Sequence, residues 1–199
     1  MGLQDATTTQ APRPLRADAV RNREKLLVAA RELFDEAGTE ASLEEIARRA
    51  GVGVGTLYRN FPTRIELIEA VYRHSVDELC ASGAELAATL APREAFEAWL
   101  LQFIAYAGSK RGLSGALRAA LGDEASHVFA DVHDRLTTAG DALLHAAQAD
   151  GSVRSDVETM DVLRAVSGVC LAAPDWRDSA KTQRALRLVL DGLRYGASG

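Results

Sequence analysis

The sequence contains few of the residues that link a chain covalently. Among its 199 residues are two cysteines, Cys80 and Cys170, which lie far apart and inside apolar helical patterns. A disulfide framework in a small secreted domain needs more cysteines at closer spacing, so the composition excludes that class. We expect both thiols to be reduced core residues of a cytosolic protein.

Long apolar runs are also missing. No stretch reaches the roughly eighteen apolar residues of a membrane-spanning helix, and the N-terminus lacks the charged-then-apolar order of a secretory signal. Hydrophobic residues still make up 47% of the chain, enough to bury a core in one small and one medium domain. We expect a cytoplasmic protein with no membrane partner.

The sequence lacks the motifs that hold nucleotide cofactors or build catalytic centres. The glycine-rich run at 51–55 follows no strand pattern, so it is not a phosphate or dinucleotide loop. The four histidines are scattered, and a single helical face brings titratable groups within reach of one another, at Asp123, Glu124, His127 and Asp131. This spacing suits either a divalent metal or a solvated, salt-bridged face, and we favour the second interpretation. We expect no catalytic activity, no metal and no cofactor.

A net positive charge, common in nucleic-acid-binding proteins, is absent, since the formal net charge is -5. Residues 1–75 carry eleven basic and eleven acidic side chains, whereas residues 76–199 carry twelve and seventeen, so the acidity lies in the second part. The basic residues of the first part are bunched near its start, at Arg13, Arg16, Arg21, Arg23 and Lys25. They indicate a modest local basic footprint.

Residues 1–17 are predicted to form a mobile basic arm. The segment has too little apolar surface to offset the entropy lost on ordering it. Its Arg13 and Arg16 either reach along a DNA groove or phosphate track, or belong to a solvated tail.

Helical periodicity is what the sequence has in abundance. A first helix is predicted over Asp18–Ala37, ended by a glycine. Ser42 and Glu45 form a capping box that starts a second helix, which Gly51 ends. The turn at 51–53 has the length found in helix-turn-helix motifs.

A third predicted helix, over about Gly53–Asn60, has two faces. Leu57 and Phe61 lie one turn apart and can pack on the preceding helices. The opposite face carries Gly55, Thr56 and Arg59, with Tyr58 and Asn60 on its flanks. Arg59 can offer two donors to a guanine edge, Gly55 permits close approach of the backbone, and the hydroxyl and amide groups can bond phosphates. This face therefore suits a DNA groove.

Thr63 and Glu66 form another capping box, beside Arg64, at the start of a linking helix whose amide groups can bind phosphate. Further helical segments follow in chain order. The linking helix is followed, after a break near His74 or Ser75, by a helix from Val76 to about Leu90, and then by a helix from Pro92 to Ala107. A polar loop over Ser109–Gly112 leads to a short helix over Ser114–Leu121 and a long helix over Asp123–Ala149. A helix opened by a capping box of Ser155 and Glu158 and a last helix over Ser179–Tyr195 complete the prediction.

The run S-L-E-E-I-A-R-R-A-G-V-G-V-G-T-L-Y-R-N-F-P-T-R-I-E-L, which starts at Ser42, closely resembles the DNA-binding domain of the tetracycline-repressor (TetR) family. The resemblance covers about Arg21 to Val71, and its T-L-Y-x-x-F core is specific. It implies an all-α fold, in which an N-terminal three-helix helix-turn-helix domain precedes a larger helical domain for dimerisation and ligand binding. We place these domains at residues 18–62 and 63–199.

The resemblance implies DNA contacts by Thr56, Tyr58 and Asn60, and backbone-amide contact with phosphate near Arg64. Two positions depart from the family pattern, because position 60 is often histidine or tyrosine and position 64 is usually lysine. Both residues present here still donate hydrogen bonds, so the departures bear on sequence preference. The full predicted DNA-binding set is Ser42, Gly53, Val54, Gly55, Thr56, Tyr58, Arg59, Asn60 and Arg64.

An effector cavity is implied in the second domain, enclosed by the helices between the DNA-binding domain and the dimer helices. The aromatic stripe of the helix after Pro92 either lines this cavity or is ordinary core. Candidate lining residues are Trp99, Phe103, Tyr106 and His133. A largely apolar lining would suit a small apolar or aromatic effector.

The resulting hypothesis is a homodimeric, ligand-responsive transcriptional repressor that binds a palindromic operator and is released by its effector. The two last predicted helices are expected to form the dimer interface, through Leu163, Val166, Val169 and Cys170 of one and Leu186, Val189, Leu190 and Leu193 of the other. Two alternatives stay open, a small-molecule-binding or enzymatic helical protein with an incidental helix-turn-helix, and an activator or architectural DNA binder.

Overall fold

The computed structural model describes residues 13–172 and 180–194, and the regular elements in these ranges are helices. The chain divides into two compact units, Met1–Arg64 and Ile65–Gly199. The helices are α1 Arg13–Ala37, α2 Leu43–Arg49, α3 Val54–Asn60, α4 Arg64–Thr89, α5 Pro92–Leu121, α6 Ala125–Ala149, α7 Thr159–Leu171 and α8 Ala180–Arg194, with a 3₁₀ turn at Gly122–Glu124. The all-α fold class predicted from the sequence is confirmed.

The first unit is a three-helix arrangement in which α1 and α2 pack together and α3 packs on both. Its core is formed by the apolar positions that recur at helical spacing. The most buried are Leu26, Leu27, Ala30, Ile46, Ala47, Leu57 and Phe61. Two glycines at positive φ, Gly38 (80°) and Gly51 (68°), end α1 and α2, because a left-handed backbone there costs glycine little.

Helix α1 begins at Arg13, five residues earlier than the predicted start at Asp18. Residues 13–17 of the predicted arm are thus the first residues of α1, and residues 1–12 lie outside the described ranges. Pro14 is compatible with this earlier start because the first turn of a helix has free N–H groups, so a proline there breaks no hydrogen bond.

The second unit is built around Trp99, whose side chain is fully buried. Its indole Nε1 donates a hydrogen bond to the carbonyl oxygen of Leu79 on α4 at 2.9 Å. Helix α5, which carries this residue, packs against α6 and α7, and α7 in turn packs against α8. The ring of Trp99 lies beside Gly83 of α4 and Gly140 of α6, so it packs between these two helices.

The predicted break in α4 near His74 or Ser75 does not occur. Ser75 is buried, and its Oγ donates a hydrogen bond to the carbonyl oxygen of Val71, one turn back, at 3.0 Å. The serine thus finds its partner inside the helix, while its neighbour Val76 is fully buried. Burial of this stripe outweighs the weak helix propensity of the pair.

The predicted polar loop over Ser109–Gly112 is also wrong, since α5 runs without interruption to Leu121. A glycine in a helix interior costs only about 1 kcal/mol relative to alanine. Ala107, Leu113 and Leu117 continue the buried stripe across the segment, and their burial offsets that cost.

The capping box at the start of α7 is shifted from the predicted pair of Ser155 and Glu158. The N-cap is Glu158, and its backbone N–H donates to Asp161 Oδ2 at 3.1 Å. Ser155 lies in the preceding loop, because Gln148 Nε2 donates to the carbonyl oxygens of Arg154 and Val157, both at 3.0 Å. These bonds hold the chain out of the helix until Thr159.

Gly140 is the tightest glycine contact in the second unit among those described. A Cβ at this position would lie 2.5 Å from Thr159 Cγ2 and 3.0 Å from the ring of Trp99. We expect Gly140→Ala to lower the free energy of unfolding by about 1–3 kcal/mol through overpacking, measured by urea denaturation.

The matched control is Gly115→Ala. A Cβ added at this helical glycine on α5 would have no atom within 4 Å, so the same substitution meets open space. The control should raise stability slightly, by up to about 1 kcal/mol, because alanine favours the helix. Equal effects of the two substitutions would contradict the packing described around Trp99.

Candidate nucleic-acid interface and ligand cavity

The helix-turn-helix is set by short-range contacts. Ser42 is the N-cap of α2, and its Oγ accepts a hydrogen bond from the Glu45 backbone N–H at 3.2 Å. The same Oγ donates to Glu44 Oε2 at 2.9 Å. Ser42 is thus engaged in capping α2, and Gly53 is the N-cap of α3. The helix-turn-helix was predicted from Ser42 and Gly53, and these residues are the N-caps of its two helices.

Helix α3 is anchored on one side and open on the other. Leu57 is fully buried and Phe61 is 3% exposed. Tyr58 is 44% exposed and Val54 is 42% exposed, although both are large apolar or aromatic side chains. A Cβ added at Gly55 would meet no atom within 4 Å. The outer face therefore combines an exposed phenol with a backbone that another molecule can approach closely.

The polar residues of α3 are arranged along the same helix. Arg59 is exposed, and its Nη2 lies 3.3 Å from Thr56 Oγ1 as a donor. No ion pair of Arg59 occurs within the described residues, so its charge is available to a partner. Asn60 Nδ2 donates to the carbonyl oxygen of Thr56 at 2.8 Å, which directs this amide toward its own helix.

The two arginines at the end of α2 form ion pairs with glutamates. Arg49 bonds Glu36 on α1 at 2.7 Å and Glu45 at 3.3 Å, and Arg48 bonds Glu45 at 2.6 Å. The hydrogen bond from Arg48, aided by Arg49, lowers the pKa of Glu45 to about 2. Because a lowered carboxyl pKa adds stability above the ordinary carboxyl range, the bonds of Glu45 to the two arginines weaken as the pH falls toward 2.

The side chain of Arg64 makes hydrogen bonds within the protein. Its Nη1 donates to the carbonyl oxygens of Thr39, at 2.8 Å, and Ala41, at 2.6 Å. Its guanidinium therefore fastens the loop before α2 to the start of α4. A contact between the α4 backbone amides and phosphate remains a prediction.

Replacing Arg64 by Gln tests this assignment. The variant should melt at a lower temperature, because each hydrogen bond from a charged group contributes about 1.5–3 kcal/mol. The operator affinity of the variant should fall with salt concentration as steeply as that of the parent protein. A salt slope reduced by about one unit would instead show that the guanidinium contacts a phosphate.

The second unit contains a cavity of about 560 Å³. Helices α4 to α7 contribute its walls, and the apolar part of the lining includes Tyr72, Phe103, Phe129, Val132, Leu136 and Leu163. Its volume falls within the range typical of sites for small molecules. The polar part of the lining is Lys110, Ser114, Arg118, His133, Arg164 and Ser167.

Two of the four predicted ligand contacts line this cavity, Phe103 and His133. Trp99 does not, because it is fully buried in the core beside Gly83 and Gly140. Tyr106 lies behind the wall, with its ring 5.9 Å from that of Phe103 and 6.2 Å from that of Tyr72. Burial raises the pKa of both tyrosines, so both phenols stay protonated at neutral pH.

Sequence reasoning missed Tyr72 and Phe129 as lining residues, together with three cations, Lys110, Arg118 and Arg164. A signal for part of this set was present. Phe103, Lys110, Ser114 and Arg118 are spaced at seven and four residues, which places them on one side of a continuous helix. The predicted loop over 109–112 concealed that register.

Comparison with known proteins decides the family. Residues 26–71 match the family profile of bacterial regulatory proteins of the tetR family. Residues 91–195, more than half of the chain, match that of the SbtR-like transcriptional regulator C-terminal domain. The chain belongs to the TetR family. Regulators of the TetR family are generally non-enzymatic DNA-binding proteins, and ligand binding and homodimerisation are typical of them.

Solved TetR structures share the fold over most of the chain. A TetR transcriptional regulator from Streptomyces coelicolor is 48% identical, with a TM-score of 0.77 over 86% of this chain and 98% of its own. A TetR regulatory protein from Mycobacterium vanbaalenii is 32% identical, with a TM-score of 0.76 over 92% of this chain and 100% of its own.

A curated relative matches over a shorter range. It is an HTH-type transcriptional regulator from Staphylococcus aureus, 41% identical over 64 residues. The match spans 32% of this chain and 35% of the relative, so the likeness concerns about a third of each.

The residues predicted to form the TetR-type dimer interface are mostly inside the protomer. Val166 is fully buried, and Leu163, Cys170, Leu186 and Leu193 are buried as well. The outward face of α8 instead presents Leu188, which is 75% exposed, whereas Leu171 of α7, which is 58% exposed, lines the cavity. The apolar stripes predicted from the sequence are therefore largely buried within one chain, with Val169, Val189 and Leu190 half-buried.

Other sites considered from the sequence find no support. Within residues 13–172 and 180–194, no group of three or more histidine, cysteine or acidic side chains is placed to hold a metal. Asp131 is instead bonded to Arg73 at 3.1 Å. No helix in the described part of the chain is long and apolar enough to cross a membrane.

Proposed function

We propose that this TetR-family protein is a cytoplasmic transcriptional repressor that binds a palindromic operator as a homodimer. The outer face of α3 carries the proposal. Its exposed Tyr58 and Arg59, beside the open backbone at Gly55, form a surface that fits a major groove. Two copies related by a two-fold axis would read two half-sites, which requires a palindrome.

The proposed division of labour follows the two compact units. DNA binding is assigned to the unit that ends at Arg64, and effector binding and dimerisation are assigned to the rest of the chain. This unit ends two residues later than the domain boundary at 62 that was predicted from the sequence. Within the DNA-binding set, Tyr58, Arg59 and Thr56 contact the groove and its phosphates. Gly53, Val54 and Gly55 bring the start of α3 close to the backbone.

Release by an effector completes the proposal. The effector occupies the 560 Å³ cavity and lowers operator affinity by binding more tightly to the arrangement that does not bind DNA. Helix α4 carries both Arg64, bonded to the loop before α2, and Tyr72, in the cavity wall. By linkage, operator DNA must weaken effector binding by the same factor.

Substitutions in α3 test the reading surface. Arg59→Ala should weaken binding to the preferred operator by about 1–3 kcal/mol and relax base preference at one position of each half-site. Tyr58→Phe should weaken binding to all operator variants to a similar, smaller extent, because it removes a hydroxyl that bonds a phosphate. Affinities for a panel of single-base operator variants provide the measurement.

The contrast between the two variants is the decisive feature. Both side chains are exposed, so neither change should alter the melting temperature. If Arg59→Ala ranks the operator variants as the parent protein does, Arg59 does not read a base. If neither variant changes affinity at all, α3 is not the reading helix, and the small-molecule-binding alternative is favoured.

A further inference from the structure

The side chains that line the cavity of the second unit carry more positive than negative charge. Among the described residues, its lining includes three cations, Lys110 and Arg118 from α5 and Arg164 from α7, and no aspartate or glutamate. Within the described residues, none of the three is in an ion pair, whereas Asp131 on the adjoining helix is bonded to Arg73. The described part of the lining therefore carries positive charge with no carboxylate to balance it.

The position of Lys110 makes this imbalance costly. Burial lowers its pKa, and the neighbouring positive charge of Arg118 lowers it further. The Lys110 Nζ lies 5.2 Å from the centre of the Tyr106 ring, and the Arg118 guanidinium lies 4.5 Å from the centre of the Phe129 ring. An aromatic face attracts a cation but carries no net charge, so the Tyr106 ring offsets the hydration lost by Lys110 only in part.

An anion between these groups would satisfy both cations with charge-assisted hydrogen bonds. The rest of the wall is apolar, with Phe103, Phe129, Val132 and Leu136 around the same space. A ligand that matches both features has an aromatic or branched aliphatic body and one acidic head group.

We infer that the effector is such an organic anion, held by Lys110 and Arg118 through its head group and by the apolar wall through its body. This inference rests on the proposed function, which assigns the effector to this cavity. It also changes the expected effector class, since the sequence alone indicated a small apolar or aromatic compound without a charge.

Two fluorescent probes test the inference, because they differ only in the head group. One is 8-anilinonaphthalene-1-sulfonate, an aromatic anion, and the other is N-phenyl-1-naphthylamine, its uncharged counterpart. The full-length protein should bind the sulfonate at least about tenfold more tightly, as expected for one hydrogen bond to a charged group. Lys110→Met and Arg118→Met should each remove most of that preference and leave the affinity for the neutral probe unchanged.

Two further variants locate the binding and control for charge. Ser167→Trp places a large side chain in the cavity and should weaken binding of both probes. Lys181→Met removes a lysine charge from an exposed position on α8 and should leave both affinities unchanged. Lys110→Met should also raise the melting temperature of the ligand-free protein, because it removes a half-buried charge that lies near another of the same sign.

The possible outcomes separate the two claims. Equal affinity for the two probes, with both weakened by Ser167→Trp, would overturn the anion inference and leave the cavity as the effector site. Binding of both probes that Ser167→Trp leaves unchanged would overturn the inference and the cavity assignment together. A sulfonate preference that Lys181→Met abolishes and Lys110→Met does not would show that overall charge, not this site, selects the anion.

Discussion

A Gly55→Leu variant should fold as the parent protein does and bind operator DNA at least about a hundredfold more weakly, a loss of about 2.8 kcal/mol. The backbone of Gly55 is helical, and an added Cβ meets no atom within 4 Å, so the free protein has room for the side chain. Leucine also favours a helix more than glycine does. The side chain would stand between α3 and the groove and prevent close approach of the backbone.

The control for Gly55→Leu is the same substitution at Gly115, an exposed helical glycine outside the DNA-binding unit whose added Cβ also meets open space. Fluorescence anisotropy with a labelled operator gives the affinities, and thermal denaturation gives the stabilities. Gly115→Leu should leave operator affinity unchanged. A Gly55→Leu protein that binds as tightly as its parent would place the DNA surface away from the start of α3.

The second large effect is expected at Leu188. A Leu188→Glu variant should be a folded monomer, with a mass near the 21.3 kDa of one chain, and should lose about a thousandfold in operator affinity. Leu188 is 75% exposed in the protomer, although it is a large apolar residue. Homodimerisation is typical of the TetR family, and we assign the contact with the second chain to this exposed face of α8. A charge placed there would be buried without a partner in a dimer.

Val166→Glu is the contrasting variant. Val166 is fully buried within its own protomer, so this substitution should unfold the second unit rather than separate two folded chains. Sedimentation and circular dichroism distinguish the two results. A Leu188→Glu protein that remains dimeric would exclude the exposed face of α8 from the interface.

The first unit can be predicted well from the sequence, because its determinants are local. Ser42 caps α2 through a bond to an amide three residues away, and Gly51 supplies the positive φ that ends it. Arg64 is the exception. Its two carbonyl partners lie more than twenty residues earlier in the chain, and no spacing rule indicates such a contact.

The second unit is less predictable from the sequence, because burial there depends on how several helices meet. The aromatic stripe of α5 is evident from its spacing, but its period cannot show that Trp99 faces the core while Phe103 faces the cavity. Similarly, the periods of α7 and α8 indicate their buried faces correctly. These faces are largely buried within one chain, so their period alone does not indicate the surface that meets a second chain.

The most direct test of the central claim is selection of duplexes from a random DNA pool by the purified protein. Reading by two copies of α3 predicts a two-fold symmetric consensus, with half-site centres about one helical turn of DNA, or a multiple of it, apart. Gly55→Leu should enrich no consensus under the same conditions. A parent protein that enriches no sequence, or enriches an asymmetric one that Gly55→Leu enriches equally, would contradict the account.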